Sequence, residues 1–411
     1  MNASLEARIE RGLAALHLGV ALPATALVLL LIAWNRGIAL LYGLLALVLA
    51  TWVIAHLAPL RHLLGIEARR RHPPSVHEGE PLPLTVELRH AGRGARYLLE
   101  VVDRVPCAPE EEQQPSGFIE RLRERAKLEL QASCDCRGTY TLGPLRLRTG
   151  YPLGIRWREL ELPGTESELL VYPAPFPIRR LKWLDASLTP VLGSRAVAVK
   201  GGDESFFGLR DYQRGDSPRY IDWRSTARLS RLLVKEHEVL ASSELMIVLD
   251  LNREHQAGEG RESMLEYAVK IAASIARFAL GEGHGVGLLG VGKSIYRVAP
   301  GRGWGHNQSI LDVLARVQAE GSAPYAEAVE HATASLPRGG LMVLFDHGTE
   351  VTLDQTLSVR LSGRRVTPGW VCFDRHSFDF PMSRDPRSEA SLRSGIYHVR
   401  RGDDLGKVFA T

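Results

Sequence analysis

The sequence predicts a membrane-anchored α/β protein with three parts. These are an N-terminal transmembrane helical hairpin, a small antiparallel β-sandwich domain, and a doubly wound, mostly parallel sheet. Three observations predict it. Residues 12–35 and 37–60 each run without Asp, Glu, Lys or Arg, and each run exceeds the ~20 residues a helix needs to cross a hydrocarbon core. After His72-Pro73-Pro74, PLPLTVELRH and RYLLEVVDRV alternate apolar and polar residues, as half-buried strands do. From residue 243, short unbroken apolar runs alternate with segments of helical spacing, the pattern of strands covered by helices on both faces. The expected boundaries are 1–71 for the two spans, 72–177 for the β domain, 178–242 for a linking segment and 243–411 for the α/β domain.

Taken in order, the two apolar runs predict a hairpin turning around Trp34-Asn35-Arg36-Gly37. A cleaved signal peptide fits poorly, because no small-residue cleavage site is evident and a second full run follows at once. Arg61, Arg69, Arg70 and Arg71 crowd the exit of the second run, whereas the turn carries Arg36 alone. The positive-inside rule then places both termini and the soluble domains in the cytoplasm. Cys107, Cys134, Cys136 and Cys372 are too few and too irregular for a secreted disulfide framework. Cys134-x-Cys136 has no partner pair at metal-site spacing, so reduced structural thiols in a reducing compartment are expected. A net charge of +4 over 411 residues implies no nucleic-acid partner.

RGTYTLGPLRLRTGYPLGI continues the β domain with short strands between Gly and Pro turns, while PSGFIERLRERAKLELQ is open between helix and strand in its first half. Pro173, Pro175 and Pro177 mark the exit. Beyond residue 243, ELMIVLD reads as a buried strand, and Met264, Leu265, Ala268, Ile271, Ala272 and Ile275 follow at helical spacing. GVGLLGV and SIYRVA read as strands, SILDVLARVQ and YAEAVEHATASL as helices, and LMVLFD and PGWVCFD as further strands. Sheets of this kind bind ligands at the carboxyl ends of their strands, which is where Asp250 and Asp346 fall.

Three groups of residues could carry chemistry. Gly287-Leu288-Leu289-Gly290-Val291-Gly292-Lys293-Ser294 fits the phosphate-loop expression, and Asp346 could supply a magnesium carboxylate. That mechanism needs a helix starting at the lysine. Ser294-Ile295-Tyr296-Arg297-Val298-Ala299-Pro300 reads instead as a strand, with Gly292-Lys293 at a hairpin tip. Nucleotide hydrolysis is therefore the alternative rather than the leading reading. Asp250, Asn252 and Glu254, at alternate positions beyond a buried strand, offer oxygen ligands for Mg²⁺ or another divalent cation, with Ser322 and Asp346 to complete the set. The same residues equally suit a helix cap and a solvated loop, and the sequence leaves the two open.

The third group is RDYQRGDSPRYIDW, residues 210–223. Its RGDSP has the letters of an extracellular adhesion signal, which a cytoplasmic segment cannot use; Arg401-Gly402-Asp403 repeats the tripeptide. Arginines 210, 214, 219, 224 and 228 interleave with Asp211, Asp216 and Asp222, a density that suits paired guanidinium–carboxylate contacts. Gly215 supplies a tight turn and Pro218 a helix start. Such arginines depress carboxylate pKa values and make poor general bases. A structural network joining the soluble domains is expected, comprising Arg210, Asp211, Tyr212, Gly215, Asp216, Arg219, Asp222, Trp223, Arg228, Lys235 and Glu236.

GLRDYQRGDSPRYIDWRSTARLSRLLVKEHE closely resembles the signature of the bacterial "domain of unknown function 58" family, and RGTYTLGPLRLRTGYPLG and the two spans are similar to it as well. The resemblance implies an inner-membrane protein whose C-terminal part is von Willebrand factor A-like. It also implies partnership with MoxR-type AAA+ ATPases and a non-enzymatic adaptor role in complex assembly or maturation. The metal-dependent adhesion site of such domains has the form Asp-x-Ser-x-Ser with a later Thr and Asp. Here Asp250 and Asp346 match, Asn252 and Glu254 replace the serines, and Ser322 stands in for the threonine.

Overall fold

The computed structural model describes residues 3–184, 205–212, 221–238, 244–337, 340–347, 361–379 and 396–410. The chain divides into two compact units, one built from residues 1–174 together with 314–316, the other from the remainder.

The first unit opens with helices α1 (Ala3–Arg36) and α2 (Ala39–Leu63), separated only by Gly37 and Ile38. Gly37 takes φ +63°, a left-handed turn that costs glycine little. The helices pack against each other, yet their large apolar residues, such as Leu27, Leu31, Leu47 and Leu57, stay exposed. α2 is long and apolar enough to cross a bilayer; the described apolar part of α1, Val20–Arg36, is shorter.

The β-rich remainder of this unit places three small sheets around one core. Strands β1 (Ile66–Arg71), β3 (Pro81–His90) and β6 (Arg125–Ser133) form an antiparallel sheet in the order β1-β3-β6. A second sheet holds β2 (Ser75–His77), β10 (Ser167–Tyr172) and β7 (Gly138–Leu142). The third is antiparallel, in the order β5 (Ser116–Leu122), β4 (Arg96–Val102), β8 (Leu145–Thr149), β9 (Arg158–Leu162). In β3 the inward residues Leu82, Leu84, Val86 and Leu88 are fully buried, as period-two alternation requires.

Several expectations change here. PSGFIERL forms strand β5, not a helix, because its pairing with β4 buries Ile119 and Leu122. The domain also begins earlier than residue 72, since Arg69–Arg71 pair with Val86 and its neighbours on β3. The Arg70 side chain is buried, with Nε 2.9 Å from the Asp103 carboxylate, and its other nitrogens reach Ser167 and the Gly143 carbonyl. Burial pushes Asp103 above the usual carboxylate range, although Arg70 opposes the shift. The pairing of β2 with β10 is parallel, an exception within an otherwise antiparallel domain. Cys107 and Cys134, both buried, pair as a disulfide instead of standing as the expected reduced thiols; Cys136 and Cys372 remain thiols. The fold folds the two distant positions onto each other with Cα atoms 4.8 Å apart, which no spacing rule reveals.

The second unit contains a six-stranded sheet with strand order β15-β14-β13-β16-β17-β18. The strands are β13 (Glu244–Asp250), β14 (Gly285–Val291), β15 (Ile295–Gly301), β16 (Leu341–Asp346), β17 (Thr367–Phe373) and β18 (Ile396–Val399). All pairs are parallel except β14 with β15. The order therefore runs 3-2-1-4-5-6 in chain sequence and reverses between β13 and β16. Helix α4 (Met264–Gly281), capped by Ser263, packs on β13 and β14. Helix α6 (Tyr325–Ser335) packs with Met246, Val248, Leu289, Met342 and Leu344. Successive β13 side chains alternate faces, so burial of all of Leu245–Asp250 requires cover on both. Helix α5 (Trp304–Arg316) follows β15, and the short helices α7 (Arg375–Asp379) and α8 (Leu405–Val408) lie near the end.

The signature segment lies in this unit. Strands β11 (Ser205–Asp211) and β12 (Leu233–Glu238) pair antiparallel, with helix α3 (Trp223–Leu229) between them in sequence.

Candidate functional site at the carboxyl end of the parallel sheet

The carboxyl ends of β13 and β16 flank the point where strand order reverses. Their pairing runs in register as far as Val248 with Leu344, and Asp250 and Asp346 each lie two residues further along their own strands. Just below that level the Tyr325 hydroxyl donates to the Val248 carbonyl at 2.8 Å and accepts from the Phe345 N–H at 3.0 Å. A side chain from α6 thus fills the opening between the diverging strands with its own hydrogen bonds. Burial pushes the Tyr325 phenol well above its ordinary pKa, so it remains a neutral hydroxyl.

Asp250 is buried, and its carboxylate is engaged on both oxygens. Oδ1 accepts from the Asn252 N–H at 3.0 Å, and Oδ2 lies 2.6 Å from His255 Nδ1. A carboxylate only accepts, so His255 Nδ1 carries the proton. His347 Nδ1 approaches the same oxygen at 3.4 Å without the alignment of a hydrogen bond, its ring stacked 5.3 Å from Phe373. Burial alone would raise the Asp250 pKa. His347, the Asn252 N–H and His255 together outweigh it and hold the carboxyl below its usual value.

Asn252 is also buried and committed to the fold. Its Oδ1 accepts from the Glu254 N–H at 3.0 Å and its amide reaches the Ala323 carbonyl at 3.3 Å. Arg253 and Leu251 complete backbone bonds to Gly321 on either side. That approach is close: a Cβ on Gly321 would lie 2.5 Å from the Gly292 Cα. Gln256 caps the Asp250 carbonyl, and Arg375 donates to the Glu254 carbonyl at 3.1 Å. The 251–257 loop is held from four directions, while the Arg253 and Glu254 side chains point into solvent, as does Ser322. Asp346 is half-buried beside Cys372, its register partner on β17. The thiol is pushed up to about 12 by burial and then by that carboxylate, so it is not a nucleophile at neutral pH.

The structure therefore brings Asp250, Asn252 and the Ser322 loop together and sets Asp346 on the neighbouring strand, but Glu254 and Ser322 face outward. A cation at Asp250 would have to displace His255. Among the described residues no three His, Cys, Asp or Glu side chains are grouped to hold a metal ion. Sequence reasoning missed His255, His347, Gln256 and Tyr325. None falls at a spacing that marks it: His255 and Gln256 turn back to Asp250 within one loop, and Tyr325 and His347 arrive from distant elements.

Lys293 sits in the turn between β14 and β15, where Gly292 N–H donates to the Ser294 carbonyl. No helix starts there, so the phosphate-loop geometry is not made by this segment.

Of the signature residues, Gly215, Asp216 and Arg219 lie outside the described residues, as does Pro218. Asp211 is exposed and pairs with Arg231 at 3.3 Å, a surface contact worth about 0–1 kcal/mol. Tyr212 N–H donates to the Leu232 carbonyl. Asp222 precedes α3 and accepts from Ser225 Oγ at 2.9 Å. Arg210, Lys235 and Glu236 are placed by strand register, opposite Val234, Leu209 and Gly208. Trp223 and Arg228 are exposed on α3. The hydrogen bonds here fasten α3 to β12, as with Leu233 N–H to Thr226 Oγ1 at 3.0 Å.

Residues 208–367 match the family described as "Protein of unknown function DUF58". Over these residues the chain carries a DUF58 segment. The DUF58 segment contains β11 from Gly208 onward, α3 and β12, as well as Asp250, Asn252, Glu254, Ser322 and Asp346. The chain is 27% identical over 265 residues to the "Uncharacterized protein YeaD" of Bacillus subtilis, a match covering 62% of each, so it spans under two thirds of that relative. Likeness to solved structures is slight. A cohesin module from a Clostridium perfringens family 33 glycoside hydrolase has TM-score 0.21 and 10% identity, covering 26% of this chain and 98% of that one. Proximal thread matrix protein 1 from the mussel byssus has TM-score 0.29 and 10% identity, covering 41% and 46%. At such scores nothing is transferred from them.

Proposed function

We propose that this DUF58 protein is a non-enzymatic, membrane-anchored adaptor presenting the carboxyl-end rim of its six-stranded sheet to a cytoplasmic protein partner. The observation that carries the reading is the use made of the switch point. There Tyr325, Asn252, His255 and His347 satisfy the strand ends and Asp250 internally, while Arg253, Glu254 and Ser322 are turned outward. A polar cluster consumed in bracing a loop suits a recognition surface better than a reaction centre, which needs groups aimed at a substrate. The 3-2-1-4-5-6 order with an antiparallel third strand supports a von Willebrand factor A-like domain. The expected partner class, MoxR-type AAA+ ATPases, rests on the family resemblance.

The anchor in this reading is the α1–α2 pair spanning an inner membrane, with both termini inside. The arginines at the exit of α2 favour that orientation, although Arg70 is spent on Asp103. The disulfide does not decide the compartment, because both sulfurs are buried away from reductants. Recognition by this rim requires no metal, since Asp250 is already engaged.

Co-purification after mild detergent extraction tests the proposal. An AAA+ ATPase should be retained by the wild type and lost with Arg253→Glu/Glu254→Arg, two exposed changes that leave the fold intact. Retention of no ATPase across several detergents, or full retention by the double variant, would refute it.

A further inference from the structure

The residues around the exit of α2 form a surface that the adaptor reading does not use. His62, in the last turn of α2, is buried against the β domain, and its Nε2 accepts from the Tyr97 N–H at 2.6 Å. Its ring stacks on Tyr151 at 4.5 Å, and Tyr97 lies 5.5 Å from Tyr151. The helix end is thus clamped by the 92–98 and 150–157 segments. The helix exit and those two segments also carry exposed apolar side chains. Leu64, Leu98, Leu153 and Trp157 are 60%, 53%, 48% and 39% exposed. Leu98 holds φ +52°, a conformation uncommon for a residue with a Cβ, while Thr149 Oγ1 bonds its carbonyl. Trp157 lies over Gly150, where a Cβ would come within 3.0 Å of the indole. The charge is equally one-sided: residues 61–65, 92–98 and 150–157 contain Arg61, Arg93, Arg96 and Arg156 and neither Asp nor Glu. Arg121 adds a guanidinium 5.7 Å above the Tyr97 ring.

We infer that this rim is a second lipid contact, in which Leu64, Leu98, Leu153 and Trp157 enter the headgroup boundary and the arginines meet anionic lipid phosphates. The inference rests on α2 being a membrane span. Position selects the occupant. The first charge after the apolar run of α2 is Arg61, so the hydrocarbon boundary falls at Leu60–Arg61, one residue before the His62 clamp. A surface clamped to the helix at that height is continuous with the lipid around α2. Tyr, Trp and Arg at such a level are the residue types that the interface favours, and basic juxtamembrane residues are attracted to anionic leaflets. The β domain would lie on the bilayer at a fixed tilt rather than swing from it.

The test uses the full chain reconstituted into vesicles of phosphatidylcholine with phosphatidylglycerol, or of phosphatidylcholine alone. Resistance to alkaline carbonate reads insertion of α2 by itself. Quenching by lipids brominated near the headgroup, taken as the difference between wild type and Trp157→Phe, reads the rim. The expected result is carbonate resistance with a quenched Trp157, more so in the anionic vesicles. Leu98→Asp/Leu153→Asp should abolish the difference signal and leave carbonate resistance unchanged. If Trp157→Phe does not fold, Leu153→Trp supplies the same readout as added quenching. A carbonate-resistant protein whose Trp157 is reached by aqueous iodide and not by brominated lipid would overturn the inference alone. Shielding from both quenchers would overturn it in favour of a protein contact. Extraction by carbonate would overturn the membrane anchor and the rim together.

Discussion

Asp250→Asn offers the sharpest test of the bracing role assigned to the switch-point cluster. The substitution keeps shape and removes charge. It replaces one acceptor oxygen with an NH₂ donor that must face either the Asn252 N–H, now 3.0 Å away, or His255 Nδ1, at 2.6 Å. The first choice sets donor against donor, and the second forces the His255 proton onto Nε2, in a site where the Asp250 side chain is only 4% exposed. Losing hydrogen bonds to a buried charge and stranding a partner costs about 2–4 kcal/mol. For a unit of this size that is a Tm drop of about 5–12 °C, read by thermal melting of the full chain in detergent at pH 7. The pH dependence has a definite sign. Asp250 is depressed in the fold, since its neighbours outweigh burial. Its stabilisation is therefore complete above the unfolded carboxyl value of about 3.9 and is lost as pH falls through the lower folded value. The gap between wild type and variant should close in that acid range. A variant melting within about 1 °C of wild type at pH 7, or a gap unchanged in acid, would refute the bracing argument.

Three further outcomes are expected. Gly321→Ala places a methyl 2.5 Å from the Gly292 Cα, a backbone clash with no flexible neighbour to yield, and should cost about 1–3 kcal/mol in urea titration; a smaller loss would mean the two loops separate freely. Maleimide labelling of the denatured chain should modify two cysteines, Cys136 and Cys372, before reduction and four afterwards. Opening the bond, with its 27-residue separation, should destabilise the β domain by about 3–4 kcal/mol in the chain-entropy account, whereas four reactive cysteines from the start would contradict the pairing. Millimolar Mg²⁺ or Mn²⁺ should leave Tm unchanged, because an ion bound to the native state must raise it; a rise that grows with concentration would restore the metal site.

Much of the fold was legible locally. ELMIVLD, GVGLLGV and LMVLFD are strands because each is a short apolar run with both faces buried, and those runs need no distant information to be recognised. Ser294–Pro300 was legible as a strand from its β-branched and aromatic residues and the proline that follows, although β15 is not buried on both faces, and that decided the geometry of Lys293. PSGFIERL was not, because its helical spacing competes with a pairing to β4 that only the tertiary fold supplies. The candidate site divides along the same line. Asp250 and Asp346 were found because strand ends are visible in one dimension and the reversal of strand order is a topological rule.

By itself, then, the sequence determined two apolar runs, a β-rich segment, an α/β alternation and a DUF58 signature, since each depends on neighbours along the chain. Only the tertiary structure decided what the site residues do. Tyr325 and His347 stand 75 and 97 positions from Asp250, and the Tyr325 hydrogen bonds and the burial of His347 exist only once the sheet has closed. A carboxylate's role follows from what surrounds it in space. Here the surroundings are donors from the chain itself, and they make Asp250 a brace.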